Sequence, residues 1–168
     1  MSNLILKCFK FSSPASLIEA FKSFVRPILE YSSEIWSPYL VQDIATIESV
    51  QRWFSKRLQG LENLTYPQRI AALGLQSLEE RRHSRDLKMG FRILNELTFL
   101  GPPPSLLIVG NPSNSRAHSL TLTWPTARTN VRHYFFQARV GRSWNSLPYD
   151  LVSARSLLSF NRGLSTLP

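Results

Sequence analysis

A mainly α-helical fold is what this sequence predicts, on three observations. Apolar residues recur at three- and four-residue spacing through most of the first half. Helix-start signals precede those runs: Ser13-Pro14, Thr65 with Gln68, and Ser77 with Glu80. The composition can also build a core. Of 168 residues 43% are hydrophobic, including 10 Phe and 4 Trp, which marks a globular chain rather than a disordered tail. The expected form is a helical domain over 1–97, a linker over 98–118 and a smaller, loop-rich C-terminal extension over 119–168.

The elements follow in order. Ser13 caps a first helix with Pro14 at its first position, and Leu17, Ile18, Phe21, Phe24, Val25 and Ile28 share its apolar face. Pro27 predicts a kink or break, with a short second helix to Ile35 closed by Ser37-Pro38. A helix from Val41 to Leu58 turns Ile44, Ile47, Val50, Gln51, Phe54 and Leu58 inward. Glu48, Arg52 and Lys56 face outward, and Glu48 can pair with Arg52 one turn on. A short helix from Thr65 ends at Gly74, and the longest spans about 78–97. The change to Pro, Gly, Asn and Ser after Thr98 predicts the linker. Beyond it a short strand is expected at Ser119–Trp124, then helices at Val131–Val140 and Leu157–Leu164, the last capped by Ser156.

Charge carries the first functional hint. The net charge is +9, and Arg supplies 15 of the 20 basic residues. Arginine's planar, permanently charged fork suits phosphate better than lysine's hydrated point charge does. Residues 98–168 hold seven arginines against Asp150 alone, so they need an external partner or water. On the long helix, Arg81, Arg85, Lys88 and Arg92 form one narrow cationic stripe opposite Leu87, Phe91 and Leu94. A surface helix normally intersperses glutamates there, so an all-positive stripe favours contact with a phosphate backbone over simple solvation.

Catalytic chemistry is missing. Cys8 is the single cysteine, His83, His118 and His133 have no partner at ligand spacing, and Asp43, Asp86 and Asp150 are far apart in sequence. No Walker loop, dinucleotide turn or nucleophile elbow is present. The expectation is a chain that is not an enzyme by itself and holds no metal or cofactor. The lone cysteine excludes an intrachain disulfide, and Leu4-Ile5-Leu6 is too short for a signal peptide or anchor. The stretch Leu97–Ser115 is broken by prolines and glycine. The expected setting is cytoplasmic or nuclear, neither secreted nor in a membrane.

Longer phrases are more specific. Val25-Arg26-Pro27-Ile28-Leu29-Glu30-Tyr31 leads to Trp36-Ser37-Pro38, then Ile47-Glu48-Ser49-Val50-Gln51-Arg52 and Leu64-Thr65-Tyr66. Arg69-Ile70, Leu73-Gly74-Leu75, Leu78-Glu79-Glu80-Arg81-Arg82 and Asp86-Leu87 come next. Phe136, Arg139, Trp144-Asn145-Ser146-Leu147-Pro148 and Ser156 to Leu164 complete the series. In this order they resemble the segment after the catalytic palm in non-LTR (LINE-type, Jockey-like) retrotransposon reverse transcriptases, over roughly Ala20 to Leu164. The resemblance implies a thumb-like helical bundle with a C-terminal extension. A thumb holds the template–primer duplex by its backbone, as part of an RNA-directed DNA polymerase. The palm's paired aspartates and their Mg2+ ions have no counterpart here, and fingers and endonuclease are absent too. The chain thus resembles a truncated reading frame, whether relic or cut gene.

Arg52, Lys56, Arg81, Arg82, Arg85, Lys88 and Arg92 are the expected nucleic-acid-binding residues, with RNA or an RNA–DNA hybrid and the missing palm and fingers as partners. Arg26 is expected to pair internally with Glu30, and Tyr31, Trp36 and Trp144 to lie in the core. Two other readings stand beside this one: a protein-interaction or structural module whose apolar faces dock on the missing palm, and a retroelement remnant with no present role.

Overall fold

The computed structural model describes Ile5, Lys7 and residues 13–98, 108–109, 120–124 and 126–166. Among these, the architecture is helical, with one two-stranded antiparallel ladder. The chain divides into two compact units, Met1–Arg82 and His83–Pro168. That boundary differs from the one expected at 97, because the second half of the longest helix contributes Leu87, Phe91 and Ile93 to the second unit's core. Of the expected linker, 99–107 and 110–118 lie outside the described residues.

In the first unit, α1 (Pro14–Ala20) starts as expected, with Ser13 Oγ accepting from the Ser16 N–H at 3.3 Å. It does not break at Pro27. A π-helical turn, Phe21–Val25, comes just before it, closed by the Arg26 N–H on the Phe21 carbonyl, and α2 (Arg26–Glu30) continues. Proline lacks the N–H that would bond back to residue 23, and widening the preceding turn accommodates that loss. The inserted residue also rotates the apolar face. Leu17, Ile18, Phe21 and Val25 are buried, whereas Phe24 and Ile28 are exposed and Glu30 is buried instead. Left-handed Ser32 then separates α2 from α3 (Ser33–Trp36). Tyr31, at 76% exposure, and Trp36, at 40%, are not core residues.

Helix α4 (Val41–Lys56) stacks Phe54 on Phe21 with ring centroids 4.6 Å apart. Helix α5 (Tyr66–Ala72) follows, with Gln68 Oε1 accepting from the Thr65 N–H at 2.9 Å. Gly74 ends it in the left-handed region at φ +59°. The Leu75 N–H returns to the Ile70 carbonyl and the Gly74 N–H to Ala71, a double closure that favours glycine at this position. Helix α6 (Leu78–Leu94) opens with the expected reciprocal cap: Ser77 Oγ accepts from the Glu80 N–H, and Glu80 accepts from the Ser77 N–H, each at 3.1 Å.

The second unit is more regular than the sequence suggested. Strands β1 (Ile108–Val109) and β2 (Leu122–Thr123) pair antiparallel, Ile108 opposite Thr123 and Val109 opposite Leu122. The helix expected over 131–140 is two: α7 (Asn130–His133) and α8 (Phe136–Asn145), separated by Tyr134-Phe135. After α9 (Tyr149–Val152), α10 (Leu157–Leu164) has the expected bounds, with Ser156 Oγ accepting from the Ser159 N–H at 3.1 Å. Fully buried Trp144 and Phe160 anchor this core, and Phe160 stacks on Phe91 at 4.5 Å.

The Trp144-Asn145 pair clasps the strand. The Trp144 indole donates to the Leu120 carbonyl at 2.9 Å. The Asn145 amide accepts from the Leu122 N–H at 2.8 Å and donates to the Leu122 carbonyl at 2.9 Å. Beside it, a Cβ on Gly141 would lie 2.3 Å from the Trp124 ring, so only glycine lets that ring lie on α8. Gly141→Ala is expected to destabilise the protein by about 1–3 kcal/mol through overpacking, read as an unchanged urea slope with a lower midpoint. An unaltered midpoint would show that the ring is free to move.

Candidate nucleic-acid interface

The cations divide according to what already holds them. Arg81 is not a surface stripe residue. Its Nε and Nη2 donate to the two oxygens of Glu30, the Nη2 bond at 3.0 Å, and tie α6 to α2. The hydrogen bond to Glu30 raises the Arg81 pKa, outweighing burial. Arg26, expected to own Glu30, stands at 4.0 Å from it. Burial, followed by the charge of Arg81, pushes the Arg26 pKa down.

Arg82, the next expected contact, is only 2% exposed and therefore turns inward. Neither Arg81 nor Arg82 is presented to a partner, because both are committed to the fold. Arg85 is partly buried and also has an internal interaction. Lys88 is partly buried and Arg92 exposed, and neither forms an ion pair with a described residue. The four-residue stripe thus reduces to its C-terminal part.

Helix α4 has the clearer outer face, set by what its inner face does. Glu48, Gln51 and Ser55 are buried in a polar seam with α5 and the start of α6. The Glu48 carboxylate accepts from the Tyr66 hydroxyl and from the Leu78 N–H, at 3.2 and 2.9 Å for its two oxygens. The outward Glu48 and its expected pairing with Arg52 are therefore corrected. A carboxylate at the first turn of α6 also faces the positive end of that helix dipole. Gln51 Nε2 donates to Tyr66 Oη and to the Gln76 carbonyl, each at 3.0 Å. Arg69, 4% exposed, donates from Nε to Ser55 Oγ at 3.1 Å, from Nη1 to the Leu64 carbonyl and from Nη2 to the Arg52 carbonyl at 3.4 Å.

With that side occupied, Arg52 and Lys56 point out, as expected. Arg52 lies over the Tyr66 ring, 5.1 Å from its centroid. They line an open groove of about 610 Å³ with Ser49, Trp53, Arg57 and Glu62. Arg57 and Trp53 were not singled out from the sequence. The signal was available, since the two stand four apart at the end of the expected 41–58 helix, where such side chains meet. The Arg57 guanidinium lies on the Trp53 ring at 3.7 Å and its Nη1 donates to the Trp53 carbonyl at 3.3 Å.

In the second unit, the expectation that the arginines lack internal partners holds only in part. Arg139 meets Asp86 through two bonds of 2.9 and 3.2 Å, and its Nη1 donates to the Tyr134 carbonyl at 2.9 Å. Arg142 donates to the His133 carbonyl at 2.9 Å, and its Nη1 lies 3.0 Å from His133 Nε2. Arg128, Arg132, Arg155 and Arg162 are exposed.

No cluster of three or more His, Cys, Asp or Glu capable of holding a metal occurs among the described residues. No helix among them is long and apolar enough to cross a membrane. Compared with known proteins, the chain matches no family model and no solved structure. It is similar to an uncharacterized Caenorhabditis elegans protein, 24% identical over 94 residues, covering 54% of this chain and 48% of that protein. The chain thus spans about half the length of the curated relative it matches.

Proposed function

We propose that the chain is a nucleic-acid-holding module, the thumb-like, post-palm part of a non-LTR-type reverse transcriptase, without catalysis of its own. It acts in the cytoplasm or nucleus on RNA or an RNA–DNA hybrid. The observation that carries this reading is the sorting of cations. Arg26, Arg81 and Arg139 lie beside carboxylates, while Arg52, Lys56, Lys88 and Arg92 lack ion pairs among the described residues. Side chains that neutralise phosphates release counter-ions, which makes affinity steeply salt-dependent and nearly blind to sequence.

The test is a salt titration of fluorescence anisotropy with a labelled RNA–DNA hybrid. The double variants Arg52→Glu/Lys56→Glu and Lys88→Glu/Arg92→Glu are expected to weaken binding uniformly across sequences. Each lost contact flattens the log–log salt slope by roughly 0.7–0.9. Salt-independent affinity, or variants that bind like wild type, would defeat the reading.

One observation favours a second reading, a protein-docking module. Phe24, Ile28, Tyr31, Ile35, Trp36, Leu40 and Val41 are all exposed within an eighteen-residue span of the first unit. Exposed apolar side chains at this density suit a protein surface such as the palm. A folded chain that ignores nucleic acid at every salt concentration would put this reading first.

A further inference from the structure

The α4 groove holds more than charge. Arg52, Lys56 and Arg57 converge on one open surface without an ion pair among the described residues. The lining carboxylate, Glu62, accepts the Gly60 N–H of its own loop at 3.2 Å. Arg57 differs from its neighbours. Its guanidinium carbon sits over the Trp53 ring, 3.7 Å from the centroid, and its Nη1 donates to the Trp53 carbonyl, yet the residue is exposed. A guanidinium packed over an indole at this distance leaves its outer side to solvent, and arginine planes stack on unpaired bases. Duplex bases have no free face to offer, so such a platform suits a single strand.

We infer that this groove is a nucleotide subsite for single-stranded nucleic acid, with phosphate on Arg52 and Lys56 and an unstacked base on Arg57. The inference rests on the nucleic-acid reading above and adds to it a preference for unpaired bases at this position. A plain cation–π pair that only stabilises α4 is the competing explanation, and charge alone does not separate the two.

The separating variant is Arg57→Lys, which keeps the charge and removes the plane. With the full chain and a short fluorescein-labelled oligouridylate, Arg57→Lys is expected to cost about tenfold in affinity, the scale of one base stack. Its salt slope should stay at the wild-type value. Arg52→Gln should instead flatten the slope by about 0.7. Binding of an RNA–DNA hybrid should be unchanged by Arg57→Lys.

Oligouridylate affinity unchanged in Arg57→Lys overturns the subsite while leaving the nucleic-acid reading intact. Equal loss on oligouridylate and hybrid also overturns it, since backbone charge would then explain both. Failure of wild type to bind either nucleic acid removes the broader reading as well.

Discussion

Asp86→Ala is expected to lower stability by about 3–5 kcal/mol, the cost of leaving a buried ion with its partner removed. The Asp86 side chain is 5% exposed and that of Arg139 15%, and two parallel bonds join them. Without the carboxylate, the largely buried Arg139 guanidinium keeps the Tyr134 carbonyl but loses both of its bonds to Asp86. Asp86→Leu combined with Arg139→Leu should recover most of the loss, because removing both charges removes the desolvation penalty with them. Urea unfolding of wild type, single and double variants reads this directly. A single variant within about 1 kcal/mol of wild type would place the pair with exposed ion pairs, which contribute little.

Glu48→Ala should cost about 3 kcal/mol, since it leaves the Leu78 N–H and the Tyr66 hydroxyl without their acceptor. The same site sets an alkaline limit. Burial first, then the bond to Glu48, raises the Tyr66 pKa above its ordinary 10.0. The folded state therefore holds the phenolic proton more tightly than the unfolded state does. Its contribution is complete below pH 10 and is lost as pH rises from there toward the folded value. Tyr66→Phe should flatten that alkaline decline in a pH series of urea midpoints. An identical decline in the variant would assign it to other groups.

Local chemistry was legible in the sequence and long-range partnership was not. Ser13, Ser77 and Ser156 cap helices as their spacing implies, because a cap involves residues only three apart. Arg81 was read as a surface charge because its acceptor, Glu30, lies 51 residues away. Gln51 was placed inward by helical phase and is buried, whereas Glu48 was read as solvent-facing because its partners, Tyr66 and Leu78, lie 18 and 30 residues away. Tyr31 and Trp36 were assigned to the core on aromatic character alone. For Phe24 and Ile28, the π turn before Pro27 shifts the helical phase, which a fixed 100° per residue cannot anticipate. Helical phase anticipated the outward placement of Arg52 and Lys56, whereas the packing of Arg57 depends on the Trp53 ring beneath it.

Because the division between the units falls inside α6, the proline-rich stretch after Thr98 is not a safe place to end the protein. A frameshift there still yields α6, but leaves Leu87, Phe91 and Ile93 without Phe136, Trp144 and Phe160 from the downstream part of their core. The shortened product would carry a sticky apolar flank and enter aggregates or be degraded, rather than persist as an independent helical domain. A protease nick in the same stretch is a different event, since both pieces remain to cover one another. The residues after Thr98 thus decide whether those before them persist, because they carry Phe136, Trp144 and Phe160 of the shared core.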